Sequence, residues 1–168
     1  EERDVAALLE PLAAGVQVDL PAGELGREPH VLAVAPDRQR ELVLVDDRLD
    51  ALAGLFSIGQ VPTGEKDPFG LRRAALGVIR ILVERNQPVS LAALVDLTFA
   101  AFAGIPAVQP QQAAVLDFVY DRLRGYLREQ GYTANQVAAV LDTRPDGIAD
   151  LPARLAAVQA FAALPEAA

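Results

Sequence analysis

Asp46–Ile81 reads DDRLDALAGLFSIGQVPTGEKDPFGLRRAALGVIRI, and this stretch decides the fold. It sets an acidic helix, a Gly/Pro-rich turn and a basic helix in a row. Leu42, Val45, Leu49, Leu52 and Phe56 recur at helical spacing, so a helix is expected from Asp37 through Phe56. A competing reading pairs His30–Ala35 with Glu41–Val45 across Pro36-Asp37-Arg38 as a hairpin; the apolar spacing favours the helix. Gly59–Asp67 reads as a loop. Asp67 is then expected to cap the next helix with Pro68 at its first position, because proline has no N–H to lose there. That helix is expected to run to Arg85 or Asn86, with Leu71, Ala75, Val78 and Leu82 inward, and to end before Pro88.

Working outward, Ser90 is expected to cap a helix to about Ala103, which Gly104-Ile105-Pro106 stops. Gln111–Gln130 reads as a long amphipathic helix. Its stripe is Val115, Phe118, Val119, Leu123, Tyr126 and Leu127, and Gly131 stands as its C-terminal stop. Thr133 begins a short helix to Leu141, Arg144-Pro145-Asp146-Gly147 is a turn, and Leu151–Ala163 is a last helix. At the front, Asp4–Ala14 reads as a short helix weakened by Pro11, and Gly15–Pro36 as loop. The expected architecture is all-α: an irregular bundle of six to seven helices over residues 37–168, after a poorly assigned segment over 1–36.

Composition narrows the function. The chain has 168 residues, a formal net charge of −8 and no Cys, Met or Trp. Without Cys there is no disulfide framework and no thiolate metal site. The absence of Met, even at position 1, suggests a piece of a longer protein. Glu1, Glu2 and Asp4 replace the basic start a signal peptide needs. No run of about 20 uncharged apolar residues is present, so no membrane partner is expected. These features together favour the cytoplasm. A dedicated nucleic-acid domain is usually basic, so any RNA contact of this acidic chain must be local.

Four groups of residues invite a chemical reading. Asp46-Asp47-Arg48-Leu49-Asp50 spells DDxxD, which places its carboxylates on one helix face where Mg²⁺ on a diphosphate is a possible ligand. The bland reading, a solvated acidic face with Arg48 as local ion partner, is preferred. Gly59–Lys66 looks at first like a phosphate loop, but Glu65 separates Gly64 from Lys66, and Asp67 follows where a hydroxyl is needed. His30 is the sole histidine, too little for a zinc site. Lys66, Arg72, Arg73, Arg80 and Arg85 make the stretch around the second helix locally basic. Arg73 and Arg80 share a face with Gly77, where a backbone or phosphate can come close. Arg72 is expected to be half buried and paired with Asp46 or Asp50. Phosphate contact and structural ion pairing both remain open on spacing alone. Arg122, Arg124 and Arg128 interleave with Asp117, Asp121 and Glu129, as on a salt-bridged exposed face.

The run from Asp47 to Leu82 closely resembles the beta subunit of the bacterial two-subunit glycyl-tRNA synthetase. Val115–Tyr132 (VLDFVYDRLRGYLREQGY), Ala138–Pro145 (AAVLDTRP) and Leu151–Phe161 (LPARLAAVQAF) are similar to the same family. Residues 1–45 are not, apart from an echo at Glu24-Leu25-Gly26. The resemblance implies a helical domain of the His-Asp phosphohydrolase type, lying before an anticodon-binding domain. It implies glycine tRNA and the synthetase alpha subunit as partners. It also implies that ATP and Mg are used by the whole ligase and not by this piece, which alone is expected to be inactive and to hold no metal or cofactor. Catalytic residues are expected to be absent, since one His cannot furnish the ligands of a phosphohydrolase. On this reading Lys66, Arg73 and Arg80 face RNA, and Arg72, Asp47 and Asp50 are structural ion-pairing residues. The alternatives are a metal-dependent phosphohydrolase or diphosphate enzyme on the same helices, and a stand-alone helical interaction module.

Overall fold

A computed structural model of the chain describes residues 36–64, 66–106 and 108–164. The expected helix Asp4–Ala14, the candidate strand His30–Ala35 and His30 itself lie outside the described residues. The chain divides into two compact units, Glu1–Leu44 and Val45–Ala168, and the helical core belongs to the second.

Six helices form among the described residues, with no strand between them: α1 Pro36–Ser57, α2 Leu71–Glu84, α3 Leu91–Ala101, α4 Gln112–Glu129, α5 Ala134–Leu141 and α6 Leu151–Ala162. The all-α architecture read from the apolar spacing is therefore the one observed. The hairpin alternative fails at Glu41–Val45, which is helical. No described helix is long and apolar enough to cross a membrane.

The core is mostly aliphatic, with Phe56, Phe99 and Tyr126 the aromatic residues buried in it. From α1 it takes Val45, Leu49, Leu52 and Phe56, and from α2 Leu71, Ala75, Val78, Ile79 and Leu82. On α4, Val115, Val119, Leu123, Tyr126 and Leu127 are buried, five of the six residues expected in its stripe. The sixth, Phe118, is half-buried and meets Phe56 of α1 with ring centroids 5.3 Å apart and planes tilted by 58°. Helix α4 is the hub: α2, α3 and α5 all pack on it, and α6 packs on α5.

The expected caps at Ser90 and Thr133 are both formed. Ser90 Oγ accepts from the Ala93 N–H at 2.9 Å. Thr133 and Gln136 form a reciprocal capping box, which satisfies two otherwise orphan donors of α5. Gly131, at φ 95°, reverses the chain after α4, a conformation that penalises any Cβ. The Arg144–Gly147 turn does more than link two helices. The Asp146 carbonyl accepts from the Leu91 N–H at 3.0 Å, and its carboxylate accepts from the Ser90 hydroxyl at 2.7 Å. The Pro145 carbonyl accepts from the Tyr120 hydroxyl at 2.6 Å. This one turn thereby fastens α3 and α4 together.

The start of α2 differs from expectation. Asp67 does not stand immediately before the helix, and Pro68 is not its first residue. Asp67–Gly70 forms a turn, closed by the Gly70 N–H donating to the Asp67 carbonyl at 3.2 Å, and Gly70 occupies the cap position at φ 69°. Asp67 still caps, but from further back: its carboxylate accepts from the N–H groups of Leu71 at 2.8 Å and Arg72 at 3.0 Å. The physical reason is Gly70. Its left-handed conformation ends the turn and lets the helix begin at Leu71, three residues after Pro68.

Candidate nucleic-acid interface

The loop before α2 is tightly closed. Thr63 and Lys66 exchange backbone hydrogen bonds, N–H to carbonyl, at 3.2 and 2.9 Å. Gly64 turns the chain at φ 53°. The Arg72 guanidinium donates to the Gly64 carbonyl, clasping the loop onto the first turn of α2. Arg72 is half-buried, as expected, but its observed acceptor is this carbonyl and not an acid of α1. Burial tends to raise the pKa of Asp67. The Arg72 and Leu71 N–H groups and the charges of Arg72 and Arg73 outweigh that and hold the carboxyl below its ordinary value.

Lys66, Arg73 and Arg80 are all exposed. Arg73 and Arg80 are seven residues apart, so they lie on one face of α2, and Lys66 lies in the loop that leads into it. Arg73 folds back over Gly70: a Cβ built on that glycine would meet Arg73 Nη2 at 3.0 Å. Arg80 is 3.9 Å from Glu84 in an i,i+4 pair whose two side chains are each 55% exposed. In that setting water weakens the pair and leaves the guanidinium accessible. Glu84 is also held by the Tyr126 hydroxyl, which donates to its Oε1 at 3.1 Å.

Gly77 lies between Arg73 and Arg80 on the same face, and it is not an open point of approach. The Arg48 side chain of α1 crosses it; a Cβ on Gly77 would stand 2.7 Å from Arg48 Cδ. Arg48 thus enters the space between the two α2 arginines. The helix-to-helix contact that places it joins residues far apart in sequence, which is why motif reading missed it and attached Arg48 only to its neighbouring acids.

The DDxxD acids lie on α1. Asp47 is exposed, and Asp46 and Asp50 are half-buried. Burial first, then the charges of Asp50 and Asp47, raise the Asp46 pKa to about 6. Burial and Asp47 raise that of Asp50. Among the described residues, no three of His, Cys, Asp and Glu converge as metal ligands. The charges of α4 pair partly with residues beyond that helix. Arg124 meets Asp142 at 2.8 Å, and Asp117 meets Arg144, which lies 5.2 Å from the Tyr120 ring centre.

A helical bundle that carries exposed cations on one helix and on the loop before it is the class of object the geometry defines. The family model described as glycyl-tRNA synthetase beta subunit matches residues 33–142. The chain is 52% identical over 126 residues to the glycine–tRNA ligase beta subunit of Ralstonia nicotianae, a match covering 75% of this chain and 18% of that protein. It is 52% identical over 127 residues to the protein of the same name in Dechloromonas aromatica, covering 76% and 18%. Against that of Leptothrix cholodnii it is 56% identical over 122 residues, covering 73% and 17%. The chain belongs to the glycyl-tRNA synthetase beta subunit family, and it spans less than one-fifth of the length of these relatives.

Proposed function

We propose that the described helices are a non-catalytic domain of a glycyl-tRNA synthetase beta subunit. It contributes to binding of glycine tRNA and to assembly with the alpha subunit, in the cytoplasm, as part of a ligase whose ATP and Mg chemistry takes place elsewhere. A degenerate His-Asp-type ancestry fits this reading, since a bundle can keep its helices after losing its metal ligands. The observation that carries the proposal is the exposure of Lys66, Arg73 and Arg80 on α2 and its loop, an element whose start is capped by Asp67. On a chain of net charge −8, such a row gives polyanion contact a defined place. Arg72 fastens the loop, and Asp47 and Asp50 belong to the structural face of α1.

Two adjacent arginines test this. Arg73→Ala is expected to weaken binding of glycine tRNA and flatten its salt dependence, with the Tm unchanged. Arg72→Ala is expected to lower the Tm, because the loop loses its clasp on α2. If the two variants behave alike, the division of roles is wrong.

A further inference from the structure

Phe69 is anomalous for a core-forming residue. The residue is 54% exposed, and Val61, which lines the same shallow pocket, is 43% exposed. A phenylalanine about half exposed forgoes about half of the transfer free energy it has to offer. The backbone that holds it is nonetheless firmly set. Asp67 bonds the N–H groups of Leu71 and Arg72, two and three residues beyond the ring, and Gly70 beside it is fixed at φ 69°. Cations bracket the ring in the chain. Arg73 lies over Gly70, and Lys66 is pinned by its backbone pairing with Thr63. The acids of this stretch are Glu65 and Asp67, and the Asp67 oxygens are engaged by the helix N–H groups.

We propose that Phe69 is a stacking platform for an unpaired base of single-stranded RNA, with Lys66 and Arg73 meeting the phosphates on either side. The inference rests on the basic-row reading above and deepens it by naming the form of RNA at this end of the row. An exposed aromatic residue with a cation three residues before it and another four residues after it suits a single strand, whose bases offer free faces and whose backbone is anionic. A duplex interior keeps its base faces stacked and offers the ring nothing. An apolar protein partner would have no use for the flanking cations.

The chain has no tryptophan, so Phe69→Trp supplies a single reporter at the site. The test uses the 168-residue chain with a short oligouridylate and, separately, an RNA hairpin duplex. Phe69→Ala is expected to weaken oligouridylate binding about tenfold and to leave duplex affinity and the salt slope unchanged. Phe69→Trp is expected to retain binding, with its emission quenched by oligouridylate. Oligouridylate affinity unchanged in Phe69→Ala, or indole emission indifferent to the oligomer, overturns the stacking proposal. If Arg73→Ala still weakens binding in that case, the basic row survives without the platform; if it does not, both readings fall.

Discussion

At the scale of single residues, small choices have local causes. Gly77 is one. Alanine is better by about 1 kcal/mol in a helix interior, yet a Cβ there collides with Arg48. Gly77→Ala is therefore expected to raise stability by about 1 kcal/mol in an Arg48→Ala background and by clearly less when Arg48 is present. Equal gains in both backgrounds, measured by urea unfolding, would show that Arg48 does not cross Gly77. Asp46 is another. Its folded pKa, raised by burial and then by Asp50 and Asp47, is about 6 against an ordinary 3.8. The folded state therefore holds the proton more tightly than the unfolded state. The stability this contributes is full below about pH 4 and is lost as pH rises through about 6. Asp46→Asn is thus expected to raise the Tm by about 3 °C at pH 7.5, after allowance for the exposed half of the side chain, and to leave it unchanged at about pH 4. A Tm gain equal at both pH values would contradict this.

At the scale of elements, the helix starts do most of the positioning. The Ser90 hydroxyl has two duties: it accepts from the Ala93 N–H and donates to the Asp146 carboxylate across to the α5–α6 turn. Ser90→Ala removes both and is expected to cost about 1–2 kcal/mol in thermal unfolding. Ser90→Thr, which keeps the hydroxyl, is expected to recover most of that loss. If Ser90→Ala unfolds at the wild-type temperature, the turn does not fasten α3. Asp67 shows how a start signal can be read correctly in kind and wrongly in position. Asp-Pro fits both a cap directly before a helix and a turn leading into one. Only the backbone of Gly70, at φ 69°, separates the two.

At the scale of the whole molecule, the bundle was largely legible because helices announce themselves locally. Apolar spacing exposed α1 and α4, and Ser90 and Thr133 marked where α3 and α5 begin. What stayed hidden was set by contacts that helical spacing does not specify. Arg48 lies over Gly77, Arg72 turns to the Gly64 carbonyl, and Asp117 reaches Arg144. Arg48 and Asp117 each have nearer partners in sequence that spacing alone suggests, whereas Arg72, expected to meet Asp46 or Asp50 of α1, turns to a loop carbonyl eight residues away. Lys66, Arg73 and Arg80 were found as candidates by charge, and the fold shows them exposed on one helix and the loop before it. Binding experiments test their role. The most direct is the slope of log affinity for glycine tRNA against log salt concentration, measured for the 168-residue chain and for a variant with Lys66, Arg73 and Arg80 all changed to alanine. Removing one cation that meets a phosphate lowers the slope by about 0.7–0.9, so a fall of about 2–3 is expected in the triple variant, with its Tm retained. An unchanged slope with intact folding would contradict the claim that this row meets RNA.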